Sequence, residues 1–380
     1  MREDDVALTF VHTADWHLGM RFRSFREEHE LELMRARLEV IDRIFGVADS
    51  SLADAVLCAG DLFDGPRPDA QWSEGLAAVL KKRASPKRPV FLLPGNHDPL
   101  LTDSVWDPAS AFRKQLPEHV HVVDRDDFTF TLKEGAVLCA APCRSSAGQK
   151  DLALALPARA DGDERIRVGL VHGSTFDLKD FQTNFPISPE AAVQRGFDYL
   201  AIGDTHGFRV FPPLEKPTVY PGAPEPTSFS DEEPGHVAVV FISQRRKVTV
   251  TKERVAKWRW ESVRVESLAE LRELAARTDL SQRVLELCVV ACLPATEYEE
   301  AERLLRELAG SEAVRPKAGI LKLDRTGLTL DTRDIDALFA DLPEAVRATV
   351  RRLRELEEGE EGETARRAIY HLYSLVRKVA

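Results

Sequence analysis

A layered α/β fold is what this 380-residue sequence predicts, and two observations predict it. Five apolar runs, at 8–11, 55–59, 90–93, 168–171 and 199–202, have the near-continuous hydrophobicity of parallel strands buried on both faces. Between them lie stretches of helical periodicity, the alternation that α/β layers require. A third observation points to function. Each run is followed at once by Asp, Asn or His: Asp15-Trp16-His17, Gly60-Asp61, Gly95-Asn96-His97-Asp98, His172-Gly173 and Gly203-Asp204-Thr205-His206. Open α/β sheets carry their functional groups beyond the strand C-termini, so the five motifs are expected to converge on one rim of one sheet.

The elements follow in order. After the first motif, Leu31, Met34, Leu38, Ile41 and Phe45 recur on one helical face, and a second helix carries Trp72, Leu76, Val79 and Leu80. From 99 to 164 the pattern is less regular, with a helix near 109–115 and short strands around 120–123 and 137–141. Proline-rich 212–226 reads as an extended loop leading into a hairpin, 236–242 and 247–251, joined by the polar 243–246. Composition changes near Val255. Beyond it, strands at 260–265, 284–291 and 319–323 alternate with helices at 268–276 and 297–308, the order of a small α+β domain of split βαβ type. The final segment, from Ile335, reads as helical and highly charged, broken by the acidic run 358–362. Its last helix shows Ile369, Leu372, Tyr373 and Val376 along one stripe, which either packs on the chain itself or docks a partner. The resulting plan is three domains: 1–254, 255–332 and 333–380.

Length and composition agree with that plan. The chain is too long for one ordinary core, and its 43% hydrophobic content suits a globular protein. No stretch approaches an 18-residue apolar span, and Met1-Arg2-Glu3-Asp4-Asp5 lacks the form of a signal peptide, so no membrane association and a cytoplasmic location are expected. The odd set Cys58, Cys139, Cys143, Cys288 and Cys292 sits in apolar, strand-like contexts and reads as buried free thiols in a reducing compartment. Cys139 and Cys143 have no second pair with ligand spacing to make a zinc site. Net charge is −11, which argues against non-specific nucleic-acid binding, although phosphate contacts need only a local basic surface.

Carboxylate oxygens with imidazole nitrogens and no thiolate suit Mn, Fe or Mg better than structural zinc. Two such ions, about 3.5–4 Å apart, are the recurring device for cleaving phosphate esters, because they lower the pKa of the attacking water and neutralise the developing charge. A pair needs one bridging carboxylate, and Asp61, presented by a turn after Gly60, is the natural choice. Asp15 and His17, two apart on what reads as an extended segment, can grip one ion; Asn96 and His172 would hold the other. His206 lies two beyond Asp204, repeating the Asp15/His17 spacing. Singly these signals are weak, since Gly-Asp is usually a turn and a lone buried His is usually core. Together, each after a strand, they define a site.

In this order, D-x-H, G-D, G-N-H-D, H-G and G-x-x-H resemble the motifs of the calcineurin-like metallophosphoesterases. The opening Val11-His12-Thr13-Ala14-Asp15-Trp16-His17-Leu18-Gly19, with Gly60-Asp61-Leu62-Phe63-Asp64, looks more narrowly like the SbcD-type DNA repair exonucleases, as does Tyr220-Pro221-Gly222-Ala223-Pro224-Glu225-Pro226-Thr227-Ser228-Phe229. The resemblance spans residues 8–242. It implies a layered metallophosphoesterase sandwich with a small α+β cap and a helical C-terminal tail. It further implies that Asp15, His17 and His206 bind one divalent ion, Asn96 and His172 the other, and Asp61 both. The ions would be manganese, with magnesium or iron as alternatives. His97 would sit over the scissile phosphate and stabilise charge or protonate the leaving 3′ oxygen; Asp98 either orients that ring or caps a turn. Two positions depart from the family pattern: Asp204 stands where an imidazole is usual yet can still ligate, and Asp64 stands where the nuclease branch carries His.

Among the basic clusters, Arg21, Arg23 and Arg26 directly follow the first motif, interleaved with Phe22 and Phe25, and are the candidate DNA contacts; Lys81, Lys82, Arg83, Lys87 and Arg88, and Arg245, Arg246 and Lys247, read as solvated surface. The leading expectation is a two-metal phosphodiesterase acting on DNA, the nuclease subunit of a complex with an SMC-like coiled-coil ATPase. The helix carrying Leu31–Phe45 leaves a homodimer open. The alternative is a phosphatase or phosphodiesterase for a small molecule or phosphoprotein, which Asp204 and Asp64 favour and the extra domain and tail oppose. A DNA-binding scaffold without catalysis fits poorly, because every expected ligand position holds a competent ligand.

Overall fold

The computed structural model describes residues 6–175, 184–213, 215–310, 316–331, 339, 342–359 and 361–379. The chain divides into two compact units, Met1–Trp258 and Arg259–Ala380.

In the first unit, strand β1 (Val6–Thr13) is followed by helix α1 (Glu27–Ser50), β2 (Ala55–Cys58), α2 (Ala70–Arg83), β3 (Val90–Leu92), the short α3 (Ala111–Gln115) and β4 (Val120–Val122). Strands β1 to β4 pair in parallel. The hairpin β11 (His236–Ser243) and β12 (Val248–Arg254) adds antiparallel to β1, giving the sheet order β12-β11-β1-β2-β3-β4. A second six-stranded sheet has the order β5-β6-β7-β8-β10-β9. It is built from β5 (Phe128–Lys133), β6 (Ala136–Ala140), β7 (Ile166–His172), β8 (Tyr199–Gly203), β9 (Arg209–Phe211) and β10 (Thr218–Tyr220). The five expected runs are therefore shared between two sheets, not gathered on one. β1, β2 and β3 belong to the first and β7 and β8 to the second, and it is sheet stacking that brings their ends together.

Side-chain alternation explains why the strands read as continuous apolar runs. Leu138 and Ala140 of β6 face inward with Phe10, Leu57, Phe91, Val168, Tyr199 and Val240, forming the core between the sheets. Val137 and Cys139, one residue out of phase, pack with Leu152, Ala192 and Phe197 on the outer face of the second sheet, beneath the short helices α4 (Leu152–Ala155) and α5 (Ala191–Arg195). On the other side α1 packs on β1 through Leu33, Met34, Val40, Ile41, Ile44 and Phe45. Leu31, expected on that stripe, is 41% exposed, and the charged Arg37 takes a buried place in it. The proline-rich 212–226 segment, expected to be a loop, supplies β10, because Thr218–Tyr220 completes the second sheet beside β8.

The second unit holds β13 (Arg259–Val265), α6 (Leu268–Ala276), β14 (Arg283–Pro294), α7 (Ala295–Ala309) and β15 (Ile320–Asp331). Its strands are all parallel in the consecutive order β13-β14-β15, so the expected split βαβ arrangement is not the one formed. With right-handed crossovers, consecutive order places both helices on one face. Leu271, Leu274, Leu304 and Leu308 accordingly share one cluster with Leu285, Leu287 and Val289. The opposite face of β14 carries Cys288, half-buried, and Cys292, exposed, whereas Cys58, Cys139 and Cys143 are buried as expected; all five thiols are free. Helices α8 (Glu344–Leu356) and α9 (Gly362–Val379) follow, and Ile369 and Tyr373 of the expected stripe bury against Val350, Ala295 and Leu330. Residues 335–338, assigned to a helical start from sequence, lie outside the described residues.

Candidate metal centre

The motifs come together because neighbouring strand ends are hydrogen-bonded to one another. Beyond β1 and β2 the chain continues side by side: Asp15 N–H donates to Gly60 O (3.0 Å), His17 N–H to Asp61 O (3.0 Å) and Leu18 N–H to Leu62 O (2.9 Å). This is not the extended segment expected from the Asp15/His17 spacing, since Asp15, His17 and Asp61 all hold left-handed backbone, with φ of 55°, 45° and 54°. Strained conformations of this kind persist where surrounding structure over-determines them, as at functional sites. Trp16, between the two ligand candidates, is fully buried and donates its indole N–H to Thr13 Oγ1, anchoring the turn. Two glycines allow the close approach. A Cβ on Gly60, at φ +96°, would lie 2.3 Å from His172 Nδ1, and one on Gly95 would lie 2.1 Å from Asp61 Oδ1.

Asp61 stands at the middle. Its Oδ2 is 3.9 Å from His17 Nε2 on one side and 3.4 Å from His172 Nε2 on the other, while Oδ1 accepts the His97 backbone N–H at 2.9 Å. Around it, the ligand atoms of Asp15, His17 and His206 fall into one group, and those of Asp15, Asp61 and His172 into another. His17 Nε2 and His206 Nε2 face each other at 3.2 Å, and Asn96 Oδ1 lies 2.7 Å from His172 Nε2. Asp204 Oδ1 is 3.8 Å from the same nitrogen. All seven candidate ligands read from the sequence are thus brought to one place.

The arrangement fits a pair of divalent ions. Each histidine turns its Nδ1 to a partner, leaving Nε2 toward the centre: His172 to Ala59 O at 2.7 Å, His206 to Thr227 Oγ1 at 2.7 Å, and His17 toward Asp64 Oδ1 at 3.4 Å. Metal-ligating imidazoles are held in this way by their second nitrogen. The electrostatics also call for cations. Burial, with Asp61 and Asp204 nearby, pushes Asp15 up to about 7. His172 is pushed up to about 10: burial opposes its charge, but Asp61, Asp15 and Asp204 outweigh it. A protonated His172 is the chain's own answer to a buried carboxylate cluster, and divalent ions would be a better one.

His97 is 46% exposed at the side chain, with its ring edge-on to His17 at 4.8 Å between centroids. Its nitrogen also falls within ligand reach of His17 and Asp61. Asp98, one of the two candidate catalytic residues, turns away from that task. Fully buried, it accepts Gly95 N–H on Oδ1 (2.8 Å) and Phe63 N–H on Oδ2 (3.1 Å), which is the turn-capping role. The carboxylate beside the His97 ring is Asp64, with Oδ1 3.8 Å from Nδ1. Arg21 is engaged as well, forked onto Glu30 at 2.7 and 3.1 Å, whereas Arg23 and Arg26 are exposed.

Sequence reasoning missed the residues that hold the candidate ligands. Asp231 accepts from the backbone N–H of Thr227 and Ser228 and from the Thr227 hydroxyl, fixing the group that meets His206. Arg37, 1% exposed, donates to Trp16 O (3.0 Å) and Pro226 O (2.8 Å), tying the first motif to the 226 segment. Burial pulls its guanidinium down to about 10. The signal for Arg37 was present: a charge three and four residues from Met34 and Ile41 on an apolar face. Nothing local marks Asp231.

Two stacked sheets with a strand-end cluster of Asp, His and Asn define a metallophosphoesterase, a fold that uses a dinuclear metal site. Residues 8–208 match the calcineurin-like phosphoesterase family, and the chain belongs to it. Its relatives include the uncharacterized metallophosphoesterase YhaO of Bacillus subtilis, 27% identical over 57% of this chain and 52% of that one. The SbcD component of the SbcCD nuclease of Rhodobacter capsulatus is 32% identical over 44% of this chain and 39% of its own length. The DNA double-strand break repair protein Mre11 of Methanopyrus kandleri is 25% identical over 60% and 52%. The matches thus span about half or less of these curated relatives. Among the described residues no helix is long and apolar enough to cross a membrane.

Proposed function

We propose that this protein is a two-metal phosphodiesterase acting on DNA. The observation that carries the reading is Asp61 Oδ2 placed between His17 Nε2 and His172 Nε2, with His97 exposed beside them. Asp15, His17 and His206 would hold one ion, Asn96, His172 and Asp204 the other, and Asp61 both. Manganese suits this oxygen and imidazole set, with magnesium or iron as alternatives. The ions, when bound, supply charge that neutralises the phosphate and lowers the pKa of an attacking water. The chain's own residues do the rest. Asp61 sets the spacing, Thr227 and Ala59 hold His206 and His172 in the ligating orientation, and exposed His97 lies where it can donate a proton to the leaving 3′ oxygen.

DNA as the substrate is supported by the nuclease and repair relatives and by exposed Arg23 and Arg26 close to the first motif; Arg21 serves Glu30 first. In this reading the 255–332 region is a cap that contacts DNA. The region 333–380 docks an SMC-like coiled-coil ATPase, and α9 offers Leu375, 59% exposed, toward such a partner. Three buried free thiols suit the reducing cytoplasm. The test is incubation with Mn²⁺ on labelled single- and double-stranded DNA and on p-nitrophenyl esters. DNA cleavage lost in Asp61→Ala and His97→Ala is expected; robust ester hydrolysis with inert DNA would make it a small-substrate phosphatase instead.

A further inference from the structure

The two halves of the centre differ in donor chemistry. The first offers two imidazole nitrogens, His17 and His206 Nε2, beside the Asp15 carboxylate. The second offers one nitrogen, His172 Nε2, and faces it with oxygens: Asn96 Oδ1 at 2.7 Å, Asp61 Oδ2 at 3.4 Å and Asp204 Oδ1 at 3.8 Å. Asp204 is held there at some cost. Its backbone is at φ 107°, in the region L-residues avoid, and its N–H is received by both Asp15 oxygens, at 3.0 and 3.2 Å. Its other carboxylate oxygen accepts from the hydroxyl of Ser174, a residue 6% exposed on the turn after β7. A strained backbone and a buried donor therefore aim one Asp204 oxygen at the His172 side of the centre.

Donor type decides metal preference: imidazole suits zinc and iron, whereas carboxylate and carbonyl oxygens suit magnesium and manganese. We propose that Asp204, oriented by Ser174, makes the second position of the centre an oxygen-rich site whose preference shifts away from Zn²⁺ and toward Mn²⁺ or Mg²⁺ relative to the imidazole-rich first position, so that the two positions of one centre differ in metal preference. The added negative charge strengthens a compact hard dication, and the hydroxyl donated by Ser174 leaves the other oxygen free to ligate. This rests on the two-ion reading above and extends it.

The test is metal binding by the full chain, independent of turnover. Metal-free wild type, Asp204→His, Asp204→Asn and Ser174→Ala are titrated calorimetrically with Mn²⁺ and with Zn²⁺, and Mn²⁺ occupancy is followed by electron paramagnetic resonance. Wild type is expected to take two Mn²⁺, and its second equivalent should show a smaller Zn²⁺ to Mn²⁺ affinity ratio than its first. Asp204→His should raise the Zn²⁺ to Mn²⁺ affinity ratio of the second equivalent on the order of tenfold. Ser174→Ala should weaken the second Mn²⁺ about tenfold and leave the first unchanged. Asp204→Asn, close to isosteric, should weaken the second Mn²⁺ without raising Zn²⁺ affinity, and its thermal unfolding reports whether the fold is kept. An unaltered ratio in Asp204→His together with undiminished Mn²⁺ in Asp204→Asn overturns the proposal. A single ion in wild type overturns the two-ion reading itself, and this inference with it.

Discussion

His12 is a neutral imidazole sealed in the core beneath the first motif, and acid should expose what that costs. It is fully buried, its Nδ1 is 2.9 Å from the Tyr199 hydroxyl, and burial pulls its pKa down to about 3 from 6.5. Between those values the unfolded chain binds a proton that the folded chain refuses. The stability contribution is therefore whole above pH 6.5 and is lost as pH falls toward 3. At pH 5 the unfolded imidazole is almost wholly protonated and the folded one is not. That is about one and a half pH units of linkage, or about 2 kcal/mol, relative to pH 7.5. The perturbation is His12→Asn, whose amide can still accept from Tyr199 but does not titrate. The smaller side chain costs about 1–3 kcal/mol at every pH. The assay is urea unfolding of metal-free wild type and variant at pH 7.5 and pH 5. The gap between the two proteins should close by about 2 kcal/mol on going to pH 5. If it stays constant, His12 is not a buried neutral base.

Other perturbations separate site geometry from stability. Gly95→Ala puts a Cβ 2.1 Å from Asp61 Oδ1 and 2.4 Å from its backbone N, so phosphoester hydrolysis should fall about a hundredfold and the urea midpoint should drop as the turn shifts; activity within a fewfold of wild type would refute the steric argument. Gly46→Ala, on the exposed side of α1 with nothing within 4 Å of the new Cβ, should stabilise by about 0.5–1 kcal/mol in the same urea assay and leave hydrolysis untouched. Arg37→Met removes both donors to Trp16 O and Pro226 O, so stability should fall by about 3 kcal/mol or more and Mn²⁺ affinity with it. Arg37→Lys should restore little, because an ammonium cannot span two carbonyls as a guanidinium fork does.

The information readable along the chain is local: which runs are strands, which residues follow them, and which of those can ligate. Buried parallel strands need apolar side chains on both faces, and ligation needs specific atoms, so Asp15, His17, Asp61, Asn96, His172, Asp204 and His206 could be picked out as candidates from the chain order. Which groups meet across that order depends on how the sheets pack. Two stacked sheets, not one rim, bring β1–β3 opposite β7 and β8. Whether Asp64 or Asp98 flanks His97 depends on which carboxylate the backbone N–H groups of Gly95 and Phe63 consume. Asp231 and Ser174 act on residues 25 and 30 positions away, through Thr227 Oγ1 near His206 in the first case and directly on Asp204 in the second. Such contacts carry no periodic signature, because a hydrogen bond is satisfied by distance and direction in space, and sequence separation encodes neither.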